Sequence, residues 1–295
     1  MDKKRVIALG FFDGIHIGHA SLLNMANMRA RELGCNPAVL TFDTHPSKLL
    51  AGQAVPLLNS AVGRVDIIER QFSISDVLIL HFDDEMRTME WEEFAQVLFF
   101  DFNAVHVVVG HDFRFGYKGL GTPEKLRDRC AEKGIGCDIM REVWKNGRKV
   151  SSTYIRELIS RGDMETANEY LGHPHCLVDT VRYGYKLGRT IGAPTINMVF
   201  PEGVLVPAFG VYATKVFIGK SEHMAVTNIG VRPTVANGQE VTVESYILDY
   251  NGDLYGRQVR VDFHKYMRPE MKFSGVEELK AQIHRDAEAT REYFS

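Results

Sequence analysis

The 295-residue chain has few cysteines. It has four cysteines, Cys35, Cys130, Cys137 and Cys176, and no two form a C-x-x-C pair. Neither a zinc site nor a disulfide framework is therefore expected. No apolar run approaches the ~18 residues of a membrane span. The start, "MDKKRVIALGFF", is charged and then apolar, but its apolar run is too short for a secretory signal. Net charge is only −3, so no basic field points to nucleic acid. There is no internal repeat, no low-complexity segment and no G-x-x-x-x-G-K-[ST] phosphate loop. These absences lead us to expect a soluble, cytoplasmic chain with neither nucleic acid nor a membrane as partner. The chain is long enough for two domains, and 45% apolar with 25% charged residues is globular composition.

What is present falls into two rhythms. Residues 1–174 alternate apolar runs with helical patterns: "RVIALGFF", "PAVLTF", "DVLIL" and "AVHVVVG" read as strands. Between them lie "GHASLLNMANMRARELG", stopping at Gly34, then "AVGRVDIIERQF" and "TMEWEEFAQVLFFDF". "TPEKLRDRCAEKG" follows the fourth strand, with Thr122 as cap and Pro123 at the first helical position. Such alternation predicts a mostly parallel sheet with helices on both faces, whose ligands sit at the carboxyl ends of strands. Residues 175–295 are rich in short Val, Ile, Tyr and Phe runs, which predicts an antiparallel sandwich or barrel. Asn237-Gly238 and Asn251-Gly252 are hairpin signals there. A last helix opens with an expected capping box, Ser274 with Glu277, and puts Val276, Leu279 and Ile283 on one face.

Two stretches carry chemistry. "GFFDGIHIGH" joins the first strand to the first helix. Glycines at such a joint let backbone amides approach an anion, and the helix start adds partial positive charge. His16 and His19 reach the same side and can stabilise charge developing on phosphate oxygens, as in attack on the α-phosphate of a nucleotide. Either histidine could instead cap the helix or fill the core. "VSSTYIRELI" offers Ser151, Ser152 and Thr153 at a helix start with Arg156 one turn in, a set able to cradle pyrophosphate. A plain Ser/Thr cap with an exposed arginine is the simpler alternative.

Together with "TFDTHP", "GHDFRFG", "GRTIGAPTIN", "GVYAT", "TNIGVRPT", "VESYILD" and "MRPEMKF", in that order, these motifs resemble the bacterial bifunctional riboflavin kinase/FAD synthetase family. The resemblance runs through almost the whole chain. It implies an α/β fold: a Rossmann-like nucleotidyltransferase domain with a parallel sheet over 1–174, then an antiparallel β-barrel kinase domain with a terminal helix over 175–295. The implied function is phosphorylation of riboflavin to FMN, then adenylylation of FMN by ATP to FAD and pyrophosphate. Riboflavin, FMN, ATP and FAD are the implied ligands, Mg2+ the implied metal, and a monomer or weak homo-oligomer the implied state.

Carried over residue by residue, the resemblance puts His16 and His19 at the triphosphate, on a turn formed by Gly10, Phe12, Asp13, Gly14 and Gly18. Ser151, Ser152, Thr153 and Arg156 would hold pyrophosphate, while Asp112, Phe113 and Phe115 would lie near the flavin. In the second half Gly188 and Arg189 would wrap phosphates, and Tyr212 and Arg268 would also line the cofactor site. Thr195 and Asn197 would hold magnesium, and Glu244 would take the proton of the ribityl hydroxyl. Where the family usually reads G-F-P-T-A-N this chain has "GAPTIN", so Ala193 and Ile196 change the volume beside the metal ligands. His111 stands where an acidic residue is common. Two alternatives remain open at this point: a monofunctional FAD synthetase with an inactive flavin-binding barrel, and a non-catalytic flavin sensor.

Overall fold

The computed structural model describes residues 3–44, 55–183, 193–233 and 239–295. The chain forms two compact units: Met1–Leu57 with Arg64–Ser152, and Leu58–Gly63 with Thr153–Ser295.

The first unit is built on five parallel strands, β1 (Arg5–Leu9), β2 (Asn36–Phe42), β3 (Asp76–Leu80), β4 (Ala104–Gly110) and β5 (Gly136–Met140), in the order β3-β2-β1-β4-β5. The continuous apolar reading of β1 and β4 is explained by burial on both faces: Val6, Ile7, Ala8, Val107, Val108 and Val109 are fully enclosed. Helix α1 (Ile17–Leu33) turns Leu22, Leu23, Ala26 and Ala30 inward. It ends where Gly34, at φ 63°, returns its N–H to Ala30 and Arg31. Helices α2 (Ala61–Phe72), α3 (Asp84–Thr88), α4 (Trp91–Gln96) and α5 (Pro123–Glu132) follow. The Thr122 hydroxyl caps α5 by accepting from Lys125 N–H at 3.3 Å, as expected. The helix expected through "TMEWEEFAQVLFFDF" instead widens after α4 into a π-type turn, Val97–Asp101, that buries both Leu98 and Phe99. A two-stranded ribbon, β6 (Trp144–Lys145) with β7 (Arg148–Lys149), precedes the second unit.

Helices α6 (Ser152–Ser160), from Thr153 on, and α7 (Met164–Leu171) belong to the second unit. Asn168 fastens α7 to its sheet: its amide donates to Phe263 O and its carbonyl accepts from His175 N–H, both at 2.8 Å. That attachment is why the compact units part near Ser152, ahead of the change of rhythm at 174. The sheet has strands β8 (His175–Thr180), β9 (Thr195–Met198), β10 (Gly210–Ile218), β11 (Ser221–Pro233), β12 (Gln239–Ile247) and β13 (Gln258–Arg268). Their order is β8-β13-β10-β11-β12-β9, and each neighbouring pair is antiparallel. The sheet curls until its edges meet, where Arg182 N–H donates to Asn197 O at 2.8 Å. Its interior holds Val216, Ala225, Ile229, Val243 and Phe263 around a buried hydroxyl chain. In that chain Thr214 and Thr227 are 2.7 Å apart, and Thr227 and Ser245 2.8 Å.

Two local sequence expectations need correction. Asn251-Gly252 does not close a hairpin, because β10 and β11 lie between β12 and β13 in the sheet. Asn237-Gly238 falls outside the described residues. Ser274 does not pair with Glu277: helix α8 (Val276–Phe294) has Gly275 as its cap residue, and the Ser274 N–H and hydroxyl both reach Glu278 at 2.7 Å. Val276 is consequently exposed, and the buried face of α8 is Asp286, Ala287 and Thr290, with Leu279 and Ile283 half-buried. Ala287 packs on Val211, Val226 and Leu248 of the sheet region.

Candidate active sites

In the first unit the order of strands reverses between β1 and β4, which opens a crevice at their carboxyl ends. "GFFDGIHIGH" leaves β1 there and "GHDFRFG" leaves β4. The turn after β1 is strained. Phe12 and Ile15 both hold positive φ, 57° and 45°, as does Gly14 at 82°. Such values in bulky residues cost energy and persist where tight packing enforces them. Phe12 and Ile15 are indeed fully buried.

The product of that geometry is a pair of stacked imidazoles, His16 over His19, with ring centroids 3.6 Å apart and planes 11° from parallel. His16 caps α1: its Nδ1 accepts from His19 N–H at 3.2 Å. That acceptor role puts the ring's proton on Nε2, the nitrogen left to donate. Gly18 makes the arrangement possible, since a Cβ there would meet the His16 ring at 3.0 Å. His19 Nδ1 is buried and has no hydrogen-bond partner among the described residues. Burial, then His16, then Arg64 hold the His19 imidazolium well below the usual histidine range, so His19 is neutral at physiological pH. The Ser152 hydroxyl donates to Asp13 O at 3.0 Å, a contact within the first unit. Asp13 is buried and Asp112 exposed. Phe113 and Phe115 stack at 5.5 Å, but Phe115 belongs to the core with Phe94 and Leu98, leaving half-buried Phe113 nearer the surface.

In the second unit the strand register gathers a second set. Asn197 lies directly opposite Glu244, and Glu244 directly opposite Asn228. Opposed residues share a sheet face, and Thr195, two positions from Asn197, shares it too. Asn197 Oδ1 is buried with no hydrogen-bond partner among the described residues. Asn228 Nδ2 donates to Glu270 Oε1 at 3.3 Å. Glu270 comes in over Gly230, where a Cβ would collide with that oxygen. The row thus offers two carboxylates and neutral oxygens. Among the described residues no three acidic, histidine or cysteine side chains cluster as a metal site. Ala193 is buried, and half-buried Ile196, opposite Ser245, faces the other side of the sheet from this row.

Other expected residues have different surroundings. Arg156 is half-buried and Thr153 exposed, both on α6 within the second unit. Tyr212 is enclosed in the barrel, donates to Ala208 O and has its phenol pushed up by burial. Arg268 makes a two-pronged pair with Asp286 of α8, at 3.0 and 2.6 Å. Gly188 and Arg189 lie outside the described residues. Sequence reading missed Arg64, Asn228 and Glu270. Arg64 had a signal: a charge in register with Ile67 and Ile68 on the buried stripe of α2.

Comparison with known proteins matches both units. Residues 1–154 match the FAD synthetase family and residues 171–294 the riboflavin kinase family. A bifunctional riboflavin kinase/FMN adenylyltransferase from Listeria monocytogenes is 34% identical, covering 100% of this chain and 94% of its own. The protein of the same description from Bacillus subtilis is 34% identical over 99% and 93%, and that from Escherichia coli 33% over 98% and 92%. A crystal structure described as a macrolide-efflux protein from Streptococcus pneumoniae superposes with a TM-score of 0.84 at 31% identity, covering 99% of this chain and 95% of that one. That description belongs to the other protein; among the described residues of this chain no helix is long and apolar enough to cross a membrane. Two family matches in tandem, and relatives alike from end to end, make this chain a member of the bifunctional riboflavin kinase/FMN adenylyltransferase family, which phosphorylates riboflavin to FMN and adenylylates FMN to FAD.

Proposed function

We propose that adenylyl transfer takes place at the stacked histidines after β1, and phosphoryl transfer on the Asn197–Glu244–Asn228 row of the barrel. Residues 1–174 would carry the first reaction and 175–295 the second. The observation that carries this reading is the pairing of orphaned polar atoms with the motif residues: His19 Nδ1 in one unit and Asn197 Oδ1 in the other. A buried polar atom without a partner is costly, and at a site that cost is offset when ligand binds.

In adenylyl transfer an ionised phosphate oxygen of FMN attacks the α-phosphorus of ATP. A new P–O bond forms, the bond to the β-phosphate bridging oxygen breaks, and pyrophosphate leaves. The nucleophile carries its charge already, so no strong base is needed. The work of His16 and His19 is to donate to oxygens as charge builds on them, and to hold the phosphates in line. Ser151, Ser152, Thr153 and Arg156 would steady the leaving pyrophosphate. Half-buried Phe113 suits the flavin ring better than core Phe115.

Phosphoryl transfer starts from a neutral hydroxyl of riboflavin. Glu244 accepts its proton as the oxygen attacks the γ-phosphorus, and ADP leaves. Magnesium fits the neighbouring donors: Asn197 Oδ1 has no partner among the described residues, Thr195 shares its face, and neutral oxygens beside carboxylates suit a hard cation. Bound there, it would neutralise charge on the transferring phosphate. The FMN formed on the barrel is the substrate of the first unit. A cytoplasmic setting and a monomeric or weakly associated state complete the reading.

The test is substitution at the barrel row. Glu244→Gln keeps the shape but cannot take the proton, so FMN formation should fall by roughly a hundredfold or more while riboflavin binding persists. Asn197→Ala should raise the magnesium concentration needed for half-maximal rate. Unchanged rates in both variants would remove the kinase site from this row.

A further inference from the structure

Arg64 of α2 has the largest side chain among the fully buried residues, with 1% of its surface exposed. Its Nη1 donates to Phe11 O at 2.9 Å, Thr41 Oγ1 at 2.8 Å and Phe42 O at 2.8 Å. The guanidinium lies over the Phe11 ring at 4.4 Å. Phe11 follows β1, while Thr41 and Phe42 end β2. One nitrogen thus ties together the carboxyl tips of two neighbouring strands. The other two nitrogens, Nε and Nη2, are buried and have no hydrogen-bond partner among the described residues. Three N–H groups therefore bond none of those residues.

A tie between strand tips needs one donor nitrogen; it does not need a buried cation. Enclosing a guanidinium is expensive unless its charge is used. Burial brings its pKa down to about 10 against the pull of Asp13 and Asp43, and it stays protonated at neutral pH. Its field reaches His19, where it adds to burial and His16 in disfavouring the imidazolium. The charge sits in a low-dielectric region beside the turn proposed to receive polyanionic substrates.

We propose that Arg64 is a positioning residue for adenylyl transfer: from beneath the site it anchors the turn that carries His16 and His19, and it supplies a buried positive charge, offset only in part by Asp13 and Asp43, that favours the substrate phosphates. It touches no reacting atom in this arrangement. It acts through the backbone of Phe11 and through the field at His19. The proposal rests on the assignment of adenylyl transfer to that turn.

Two variants of the full-length protein separate anchor from charge. Arg64→Gln loses the charge and leaves only a shorter amide donor toward the strand-tip carbonyls; Arg64→Lys keeps both charge and a donor of closer reach, and the acid limb isolates the charge. FMN adenylylation is measured from pH 5 to 9, with riboflavin phosphorylation in the same samples as an internal control. Arg64→Gln should lower kcat/KM for adenylylation by roughly a hundredfold. Its acid limb should move to higher pH, because His19 regains protons once the neighbouring charge is gone. Arg64→Lys should lose roughly tenfold or less and keep the acid limb in place. Phosphorylation should be unchanged in both. Equal losses in the two variants with an unmoved acid limb would reduce Arg64 to a structural tie and overturn the proposal. Wild-type adenylylation in Arg64→Gln would do the same. His19→Ala in parallel tells this failure from that of the parent reading. An inactive His19→Ala beside a fully active Arg64→Gln refutes Arg64 alone, whereas an active His19→Ala removes the site itself.

Discussion

The first site depends on Gly18, where an added Cβ would meet only the His16 ring, so Gly18→Ala perturbs little else. The added methyl would stand 3.0 Å from His16 Cε1 and 3.1 Å from Nδ1. Carbon contacts are comfortable near ~3.5 Å, so the imidazole must give by about half an ångström. That movement lengthens the 3.2 Å cap to His19 N–H and disturbs the 3.6 Å stack. Losing the cap costs ~1 kcal/mol. Replacing a helical glycine by alanine returns up to ~1 kcal/mol. The two nearly cancel, so the melting temperature should barely change. Catalysis has no such compensation. A misplacement of ~1 Å can cost a hundredfold, and half that displacement should cost roughly tenfold or more in kcat/KM for FMN adenylylation. Pyrophosphate release from FMN and ATP gives the rate, and riboflavin phosphorylation serves as control. A stable Gly18→Ala protein with wild-type adenylylation would show that the His16–His19 geometry is not what the reaction uses.

Other outcomes follow from the same structure. His19→Ala should lower adenylylation by roughly a hundredfold or more with phosphorylation unaffected, read by separate assays of the two reactions. Arg156→Lys should weaken ATP use with FMN binding little altered, since a point charge cannot reproduce a two-pronged grip; loss of FMN affinity instead would move Arg156 to the flavin. His175 is 1% exposed, neither ring nitrogen has a partner among the described residues, and burial pulls its pKa down to about 3. The unfolded chain protonates this histidine below about pH 6.5 and the folded chain does not, so stability falls as pH drops from 6.5 toward 3, by ~2 kcal/mol at pH 5. Denaturant unfolding at pH 7 and pH 5 should show that loss, and His175→Phe should reduce it. A fragment of residues 153–295, which keeps α7 on its sheet, should make FMN but no FAD; a folded fragment that binds riboflavin and makes no FMN would mean that the first unit completes the kinase site.

The β1–α1 joint was legible because strand rhythm, glycines and paired histidines coincide within ten residues. The way His16 serves, as cap and stacking partner at once, was not, because it depends on φ values that side-chain type does not reveal. Arg64 was readable only in hindsight. Its position in the apolar stripe of α2 marks burial, but which strand tips it joins is set by tertiary structure. The hairpin signal at Asn251-Gly252 reported a change of direction and nothing about partners: β12 pairs with β11 and β9, both chosen by non-local register. For the same reason Glu244 and Asn197 could be suspected separately, while their direct opposition had to be seen. Asn228 looked like an ordinary strand residue until that register placed it in the row, and Glu270 like a loop residue until its carboxylate met Asn228 Nδ2.

The central claim, two reactions on two separate sets of residues, is tested most directly by chromatography of flavins after incubation with ATP and magnesium. The wild-type protein supplied with riboflavin should yield FMN and then FAD. His19→Ala should stop at FMN. Glu244→Gln should make almost nothing from riboflavin, yet convert supplied FMN to FAD at the wild-type rate. The claim is contradicted if one substitution abolishes both conversions in a folded protein, or if wild-type protein makes FAD from FMN but no FMN from riboflavin.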